Sequence, residues 1–408
     1  MNLIGSEICG NAVCADEIKA LSDDELKALY KLSKSHDLAH LVGNALIKNN
    51  LLDEENPNGD ENPNGDNHDG DKKQGSGENH SGAIRSEIKQ KFEKQILTAI
   101  YRYENINSEL ESLKAAFEEE KIPFIPLKGS VIRQYYPEPW LRTSCDIDIL
   151  VHEEDLENAV SLLVEKRGAT REAKGSHDVG LILNGVHIEL HYSLIESDIV
   201  GKADIPLQKV WDFVQPINAT SLYAMNDEMF YYYHIAHMAK HFVHGGCGIR
   251  PFADLWLYNR VNADNKEKQN ELLSDGGLLK FSEEAEKLSA VWFGNEEYDI
   301  ITQEMENFVL QGGVYGTLEQ NLAMSQNKKG GKFRHLMSRI FLTYKDMLIY
   351  YPSLKKCPVL FPFYQVRRWF RILFCGGRKA AMNEIKVNAG MDKAKVEAAK
   401  RLMKELEL

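Results

Sequence analysis

The sequence predicts an α+β fold, in which a small mixed β-sheet core is flanked by N-terminal helices and by a larger C-terminal helical domain. Apolar residues recur at helical spacing before residue 121 and again from about Ile205 onward, while those in 122–194 follow the two-residue period of strands. Asn184-Gly185 separates two of these strands and is typical of a two-residue hairpin turn. The 408 residues leave room for about two or three domains.

Two helical regions are predicted before the sheet. In the first, residues 1–52, Ser22 can cap a helix that begins at Asp23, and leucines follow at helical spacing. In the second, the helical lead-in 83–121, an apolar stripe recurs every three or four residues: Ile88, Phe92, Ile96, Ile100 and Tyr103.

The region between these helices differs in composition. Residues 53–82 contain nine acidic residues against two lysines, and the sequence Glu55–Asp60 repeats as Glu61–Asp66. Such a segment cannot bury enough apolar surface to offset the entropy lost on ordering, so we predict a disordered acidic low-complexity insert. A calcium loop is the alternative for its alternating Asp and Asn residues, but the closing glutamate and the flanking amphipathic helices of such loops are missing.

Charge and cysteine content restrict the partners and the location. The formal net charge is -12 at pH 7, and more than half of it comes from the insert. Long nucleic acids are therefore not expected as partners, because binding them requires basic surface that releases counterions. The six cysteines are scattered and form no CxxC pair, which indicates reduced thiols in a cytoplasmic protein. Met1–Ala15 lacks the basic start and the apolar run of a signal peptide.

No integral membrane segment is expected, because no stretch of about 18 uninterrupted apolar residues occurs. The most apolar tract, Val359–Phe374, is interrupted by Pro362, Gln365 and arginines. We predict a buried C-terminal helix here. Peripheral membrane contact is the alternative that its arginine and aromatic residues leave open.

The core, residues 122–204, contains three elements that could carry chemistry. The first is Lys128-Gly129-Ser130, which stands between a predicted strand and a predicted short helix. Glycine lets a ligand approach the backbone, and the unpaired amides of a helix N-terminus with a neighbouring hydroxyl suit a phosphate. An ordinary strand-to-helix turn is the alternative.

The other two elements are acidic strands. Residues two apart on a strand share a face, so Asp146 and Asp148 point the same way, and a divalent cation would relieve their repulsion. The same alternation places His187, Glu189 and His191 on one face of a later strand. If the two strands are neighbours, three carboxylates can hold two Mg²⁺ ions. The alternatives are an edge strand with a solvated acidic face and a half-exposed hairpin.

In this order the elements resemble the polymerase-β-like nucleotidyltransferase superfamily, and within it the bacterial family of uncharacterised nucleotidyltransferases. The resemblance covers roughly residues 85–360 and is strongest over 122–194. The matching positions are Leu127-Lys128-Gly129, Tyr135-Tyr136-Pro137, Arg142, Asp146–Val151 and Glu189-Leu190-His191.

The resemblance implies an Mg²⁺- or Mn²⁺-dependent enzyme that transfers a nucleoside monophosphate from a nucleoside triphosphate to a hydroxyl of a small-molecule or protein acceptor, with release of pyrophosphate. It implies that Asp146, Asp148 and Glu189 are the catalytic, metal-binding acids. Lys128, Gly129, Ser130 and Arg142 would then bind the nucleotide. The nucleotide, the acceptor and the oligomeric state are not indicated.

A predicted helix over 227–244 carries His234, His237, His241 and His244, the first three along one face. Its histidines could bind zinc, pack against other helices, or line the nucleotide or acceptor cleft. The resemblance favours the last option, with these lining residues: His191, His237, Lys240, His241, Arg250 and Asp254. Two other functions stay open. One is a catalytically inactive nucleotide-binding regulatory module, which the presence of all three acids disfavours, and the other is a metal-binding protein that uses the His234–His244 helix.

Overall fold

The computed structural model describes residues 1–53, 78–196, 200–262, 265–314, 316–329, 340–374 and 392–408, together with 334, 337–338, 382–383, 386–387 and 390. Most of the predicted insert, residues 54–77, lies outside the described residues. The chain divides into two compact units, of which the first comprises Met1–Ala236 and Ile249–Tyr298 and the second His237–Gly248 and Asp299–Leu408. The domain boundaries predicted from the sequence stay predictions.

The first unit begins with the predicted helices: α1 (Asn2–Cys9), α2 (Ala15–Lys19), α3 (Asp23–Ser35), α4 (Ala39–Lys48) and α5 (Glu78–Glu119). Ser22 caps α3 as predicted, because its hydroxyl accepts from the Glu25 amide and the Glu25 carboxylate accepts from the Ser22 amide. Gly43 lets α4 and α5 approach closely, since a Cβ atom there would lie 2.7 Å from Cβ of Phe92.

The mixed sheet follows, and the α+β class is confirmed. Its strands are β1 (Phe124–Pro126), β2 (Asp146–Val151), β3 (Thr170–Lys174), β4 (Asp178–Leu183) and β5 (Val186–His191), in the spatial order β1-β2-β5-β4-β3. Only β2 and β5 pair in parallel; the other neighbours are antiparallel. The predicted Asn184-Gly185 turn joins β4 to β5, with φ angles of 51° and 79° at its two residues.

One face of the sheet packs on α5 and on α7 (Leu156–Ser161) to form a buried core. Alternate residues of β2 and β5, among them Ile147 and Ile188, point into this core and are fully buried. The period of two therefore sends Asp146, Asp148 and Glu189 to the opposite face. The short helix α6 (Gly129–Ile132) connects β1 to β2 by way of two 3₁₀ turns.

Three features of this unit were not predicted from the sequence: strand β3, a pair of short strands and a π-helical turn. Strand β3 has the composition of a surface segment, Thr-Arg-Glu-Ala-Lys, because it lies at the edge of the sheet. The pair β6 (Val214–Pro216) and β7 (Tyr223–Met225) contains only three residues in each strand. Helix α7 runs directly into a π-helical turn, Leu162–Lys166. Such short or irregular elements have no periodic pattern to recognise.

The remaining helices of the first unit confirm the predicted helical character of the chain after Ile205. They are α8 (Asp204–Leu207), the first part of α9 (Asp227–Val243), α10 (Arg250–Val261), α11 (Lys266–Gly276) and α12 (Leu279–Phe293). Among the cysteines that the structure describes, Cys9, Cys14, Cys145, Cys247 and Cys357 are free thiols.

All the regular secondary structure in the described part of the second unit is helical. It contains α13 (Ile300–Gly312), α14 (Leu318–Lys329), α15 (Tyr344–Tyr350), α16 (Phe361–Phe374) and α17 (Lys393–Glu405). Leu322 and Ala323 of α14 pack on Val396 of α17. The prediction of a buried helix for the apolar tract was wrong: several phenylalanines of α16 are exposed to solvent. Within the described ranges, no helix combines the length and the apolarity required to cross a membrane.

Candidate active site

The parallel pairing of β2 with β5 brings the predicted acids together. In this register Asp146 lies opposite His187, and Asp148 lies opposite Glu189. Parallel pairing keeps side chains of the same face side by side, so the carboxylates of the two strands form one row. The proximity that the sequence analysis made conditional on neighbouring strands is therefore confirmed.

The potential metal ligands on this row form two overlapping groups. One contains Asp146, His187 and Glu189, and the other contains Asp148, Glu189 and His191; within each group, one ligand atom per residue lies within 4.8 Å of the others. Glu189 belongs to both groups. These are the only groups of three or more such residues in the part of the chain that the structure describes.

Asp148 is the most strongly held acid of the row. The residue is 4% exposed, and its Oδ1 accepts hydrogen bonds from Lys128 Nζ at 2.8 Å and from His191 Nε2 at 2.9 Å. Burial alone would raise the pKa of Asp148, but the Lys128 ammonium and the His191 hydrogen bond outweigh it and hold the pKa well below its usual range. Asp148 is thus an anion with a fixed orientation.

Asp146 shows the opposite shift. Burial and the neighbouring charges of Asp148 and Glu189 raise the pKa of the Asp146 carboxyl above its ordinary value. Three acids in this space repel one another unless a cation is added. The oxygen-rich donor set therefore fits a hard divalent cation such as Mg²⁺, with the two histidines as neighbouring nitrogen donors.

The histidines that flank Glu189 have separate partners. His187 Nε2 lies 3.1 Å from Glu172 Oε2 on β3, a contact that the sequence analysis missed together with that strand. His191 is buried, which would lower its pKa, but hydrogen bonds to Asp148 and Glu189 raise the pKa above the ordinary value. His191 Nε2 therefore faces two carboxylates of the row, at 2.9 Å from Asp148 and 3.5 Å from Glu189.

Lys128 begins the predicted phosphate turn in an unusual backbone conformation. Its φ of 45° and ψ of -119° are typical of glycine, and a non-glycine residue held there stores strain. The turn is fixed by the Leu127 amide, which donates to the Asp148 carbonyl at 3.0 Å, and by the side-chain contact of Lys128 with Asp148. Such strain occurs preferentially at functional sites, where the surrounding structure enforces it.

The next two residues of the turn are tightly enclosed. A Cβ atom at Gly129 would lie 3.3 Å from both Arg142 Nη1 and Ser144 Cβ, so a larger residue would displace them. The Ser130 hydroxyl is buried, and no hydrogen-bond partner for it exists among the described residues. A buried hydroxyl without a partner is costly and indicates a missing ligand or water. Its role in phosphate binding stays a prediction.

The structure places Arg142 and Asp254 in contact with each other. Arg142 Nε and Nη2 donate to the two Asp254 oxygens at 2.8–3.0 Å, while Nη1 donates to the Thr143 carbonyl at 2.7 Å. The Tyr136 hydroxyl donates to Asp254 Oδ1 at 2.8 Å. Burial alone would raise the pKa of Asp254, but the Arg142 charge and hydrogen bonds lower it. These hydrogen bonds attach the segment Tyr136–Arg142 to α10. Arg142 stands only four residues before Asp146, so this contact helps to position the start of β2.

Arg250 completes this anchor. Its Nη1 donates to Asp37 Oδ2 and to the Thr143 carbonyl, at 3.0 Å in both cases, and the Thr143 hydroxyl donates to the same Asp37 oxygen at 3.0 Å. The loop between α3 and α4 is therefore joined to the segment that leads into β2. Among the described residues, no hydrogen bond joins Arg250 or Asp254 to the carboxylates of the row.

His237, Lys240 and His241 belong to the second unit. His237 Nε2 and His241 Nε2 are 3.1 Å apart, so one ring donates to the other. The candidate metal-ligand groups of the described residues lie on β2 and β5 and do not include this helix. Whether these residues line the cleft stays a prediction.

The two neighbouring acidic strands, with the glycine turn that precedes β2, have the arrangement expected of a nucleotidyltransferase. The model of the family described as an uncharacterised nucleotidyltransferase matches residues 22–294, well over half of the chain, and the protein belongs to this family. The expected enzyme class is thereby confirmed. No curated protein and no solved structure is similar enough to count as a match.

Proposed function

We propose that the protein transfers a nucleoside monophosphate from a nucleoside triphosphate, such as ATP, to a hydroxyl of a small-molecule or protein acceptor, and releases pyrophosphate. The observation that carries the proposal is the register of β2 and β5, which puts Asp148 opposite Glu189 and makes Glu189 common to both ligand groups. A carboxylate that belongs to both ligand groups can bind two neighbouring ions, which suits a two-metal phosphoryl-transfer site.

Asp146, Asp148 and Glu189 would hold Mg²⁺ or Mn²⁺. When bound, such ions neutralise the triphosphate and lower the pKa of an attacking hydroxyl. Lys128 and His191 both donate to Oδ1 of Asp148, and no side chain of the described residues donates to its Oδ2. Lys128 and His191 therefore orient Asp148 so that its second oxygen remains available as a ligand.

The turn Lys128-Gly129-Ser130 forms the proposed phosphate side. The Lys128 ammonium is partly exposed and already compensates Asp148, so it can share its donors with a phosphate oxygen. Gly129 lets Arg142 and Ser144 pack directly against the backbone of this turn. Arg142 acts on this turn as a positioning residue, because each of its guanidinium nitrogens already donates to Asp254 or to Thr143.

The acidic balance of the chain supports a small-molecule or protein acceptor rather than a long nucleic acid. Free thiols at the described cysteines and the need for a nucleoside triphosphate support a cytoplasmic location.

The test uses each of the four α-³²P-labelled nucleoside triphosphates with Mg²⁺ or Mn²⁺ and a cell extract as the source of acceptors. Transfer of label to an extract component, with release of pyrophosphate, is expected for the native protein. Asp148→Asn should abolish transfer. Glu157→Gln, an exposed acid of the same unit, should retain it and serves as the matched control.

Two results would oppose the proposal. Full activity of Asp148→Asn would exclude the carboxylate row as the active site. Tight metal-dependent binding of a triphosphate without transfer from any of the four nucleotides would favour the regulatory module instead.

A further inference from the structure

The outward side of α16 carries a strip of exposed apolar side chains. Phe363 and Phe370 are each 61% exposed, Phe374 is 75% exposed and Val366 is 43% exposed. Steps of three, four and four residues place these four side chains along one line of the helix. We call them the outer strip. Exposed phenylalanines in such a line are unusual on a protein surface that faces only water.

The opposite side of the same helix is anchored in the second unit. Trp369 Nε1 donates to the Ile340 carbonyl at 2.7 Å, Arg368 Nη1 donates to the same carbonyl at 3.2 Å, and Gln365 Nε2 donates to the Leu342 carbonyl at 2.5 Å. The helix therefore has a defined inner side. Its outer strip cannot turn inward without breaking these hydrogen bonds.

Basic residues accompany the strip. Arg367 and Arg371 lie one turn apart beside it, and both guanidinium groups stand over the Tyr351 ring, at 6.0 Å and 5.9 Å from its centre. The sequence from Met347 to Asn383 contains no Asp or Glu, although the whole chain has a net charge of -12. The same stretch contains seven basic residues: Lys355, Lys356, Arg367, Arg368, Arg371, Arg378 and Lys379.

We propose that α16 binds the surface of an anionic lipid membrane, with the outer strip inserted among the acyl chains and the arginines at the phosphate level. An apolar strip beside a row of arginines is typical of helices that lie in the membrane interface. The 14 residues of α16 span about 21 Å, so the helix lies along the surface and does not cross the bilayer.

Charge complementarity favours lipid over the other possible occupants. A second copy of the chain, related by a two-fold axis through the strip, would bring Arg367 and Arg371 of both copies together without an acidic partner in this region. A nucleic-acid duplex would satisfy the arginines but would leave the phenylalanines in water, since its bases are already stacked. An anionic bilayer satisfies both sets, because its acyl chains cover the phenylalanines and its lipid phosphates attract the arginines.

The experiment is co-sedimentation of the full-length protein with vesicles of phosphatidylcholine alone and with vesicles that contain about one-third phosphatidylglycerol. We expect binding to the anionic vesicles, weakened by added salt. The double variant Phe363→Ser/Phe370→Ser should lower the partition coefficient by at least about tenfold, because two apolar side chains no longer insert. Arg367→Gln/Arg371→Gln should lower it by roughly tenfold or more.

The matched control is Leu97→Ser/Tyr101→Ser on α5, where the two side chains are 67% and 70% exposed. It should bind the anionic vesicles like the native protein. Light scattering without lipid tests whether a second copy of the chain binds the strip. A gel-shift assay with transfer RNA tests whether a nucleic acid binds it.

Equal binding of the native protein and the phenylalanine double variant to anionic vesicles would overturn the proposal. So would a native dimer that the same variant dissociates, or RNA binding that the arginine variant abolishes while vesicle binding stays absent.

Discussion

Replacing Asp254 by asparagine tests the buried anchor behind the active site. Asp254 is 1% exposed and accepts four hydrogen bonds, three from Arg142 and one from Tyr136. The variant leaves the Arg142 guanidinium buried without its counter-charge and presents an amide N–H to a hydrogen-bond donor. Removing one partner of a buried ion pair costs about 3–5 kcal/mol, and we expect Asp254→Asn to destabilise the first unit by this amount.

The assay is urea unfolding followed by circular dichroism, combined with hydrogen exchange of the peptides that contain β2 and β5, so that the loss is located in the first unit. Asp24→Asn provides the control, because its ion pair with Lys27 has side chains that are 94% and 51% exposed. That variant should lose less than about 1 kcal/mol. A loss below about 1 kcal/mol for Asp254→Asn as well would refute the assignment of Asp254 as a buried structural charge.

The pH dependence of the same variant gives an independent check. The pKa of Asp254 is lower in the folded protein than the value of 3.8 for an unperturbed carboxyl. Its contribution to stability is therefore present above about pH 4 and is lost as the pH falls from there through the folded pKa. The difference in unfolding free energy between the native protein and Asp254→Asn should shrink in that acid range, as urea titrations at several pH values would show.

Three further changes have defined outcomes. Ser22→Ala removes the cap of α3 and should cost about 1 kcal/mol in urea unfolding, with Ser6→Ala, which caps no helix, as the control. Burial holds the pKa of His234 below 6.5, so below pH 6.5 the unfolded state takes up a proton more readily than the folded state. The unfolding free energy of the native protein should therefore fall, by at most about 1.4 kcal/mol per pH unit from this histidine. Thermal unfolding of His234→Gln should show a smaller loss over that range; an unchanged pH dependence would contradict the cause. Lys128→Met removes a charge-assisted hydrogen bond at the proposed phosphate side. It should lower kcat/KM for the triphosphate roughly 10- to 100-fold in the labelled-nucleotide assay. Native kinetics in this variant would show that Lys128 does not bind the triphosphate.

The central strands were predictable because their pattern is local. The alternation around Asp146 and Glu189 fixes which side chains share a face, and Asn184-Gly185 fixes the hairpin. Which strands become neighbours is not local. The parallel pairing that places Asp148 opposite Glu189 joins residues 41 positions apart, and only the resemblance to a family indicated it.

The anchor illustrates what a single sequence does not contain. Arg142 and Asp254 are 112 residues apart, and neither has a local pattern that indicates its partner. The resemblance placed both in the functional region but could not show that they form an ion pair with each other. The exposure of the phenylalanines of α16 was not predicted for a related reason: apolar spacing along a helix does not show whether other parts of the protein cover it.

Counting bound Mn²⁺ tests the central claim most directly. Electron paramagnetic resonance of free Mn²⁺ would be recorded during titration of the protein with a non-hydrolysable nucleoside triphosphate present. Because two ligand groups share Glu189, we expect two bound Mn²⁺ ions per chain. Glu189→Gln should weaken the binding of both ions, while the control Glu157→Gln should bind them like the native protein. Unchanged Mn²⁺ binding by Glu189→Gln would contradict a metal site built from β2 and β5.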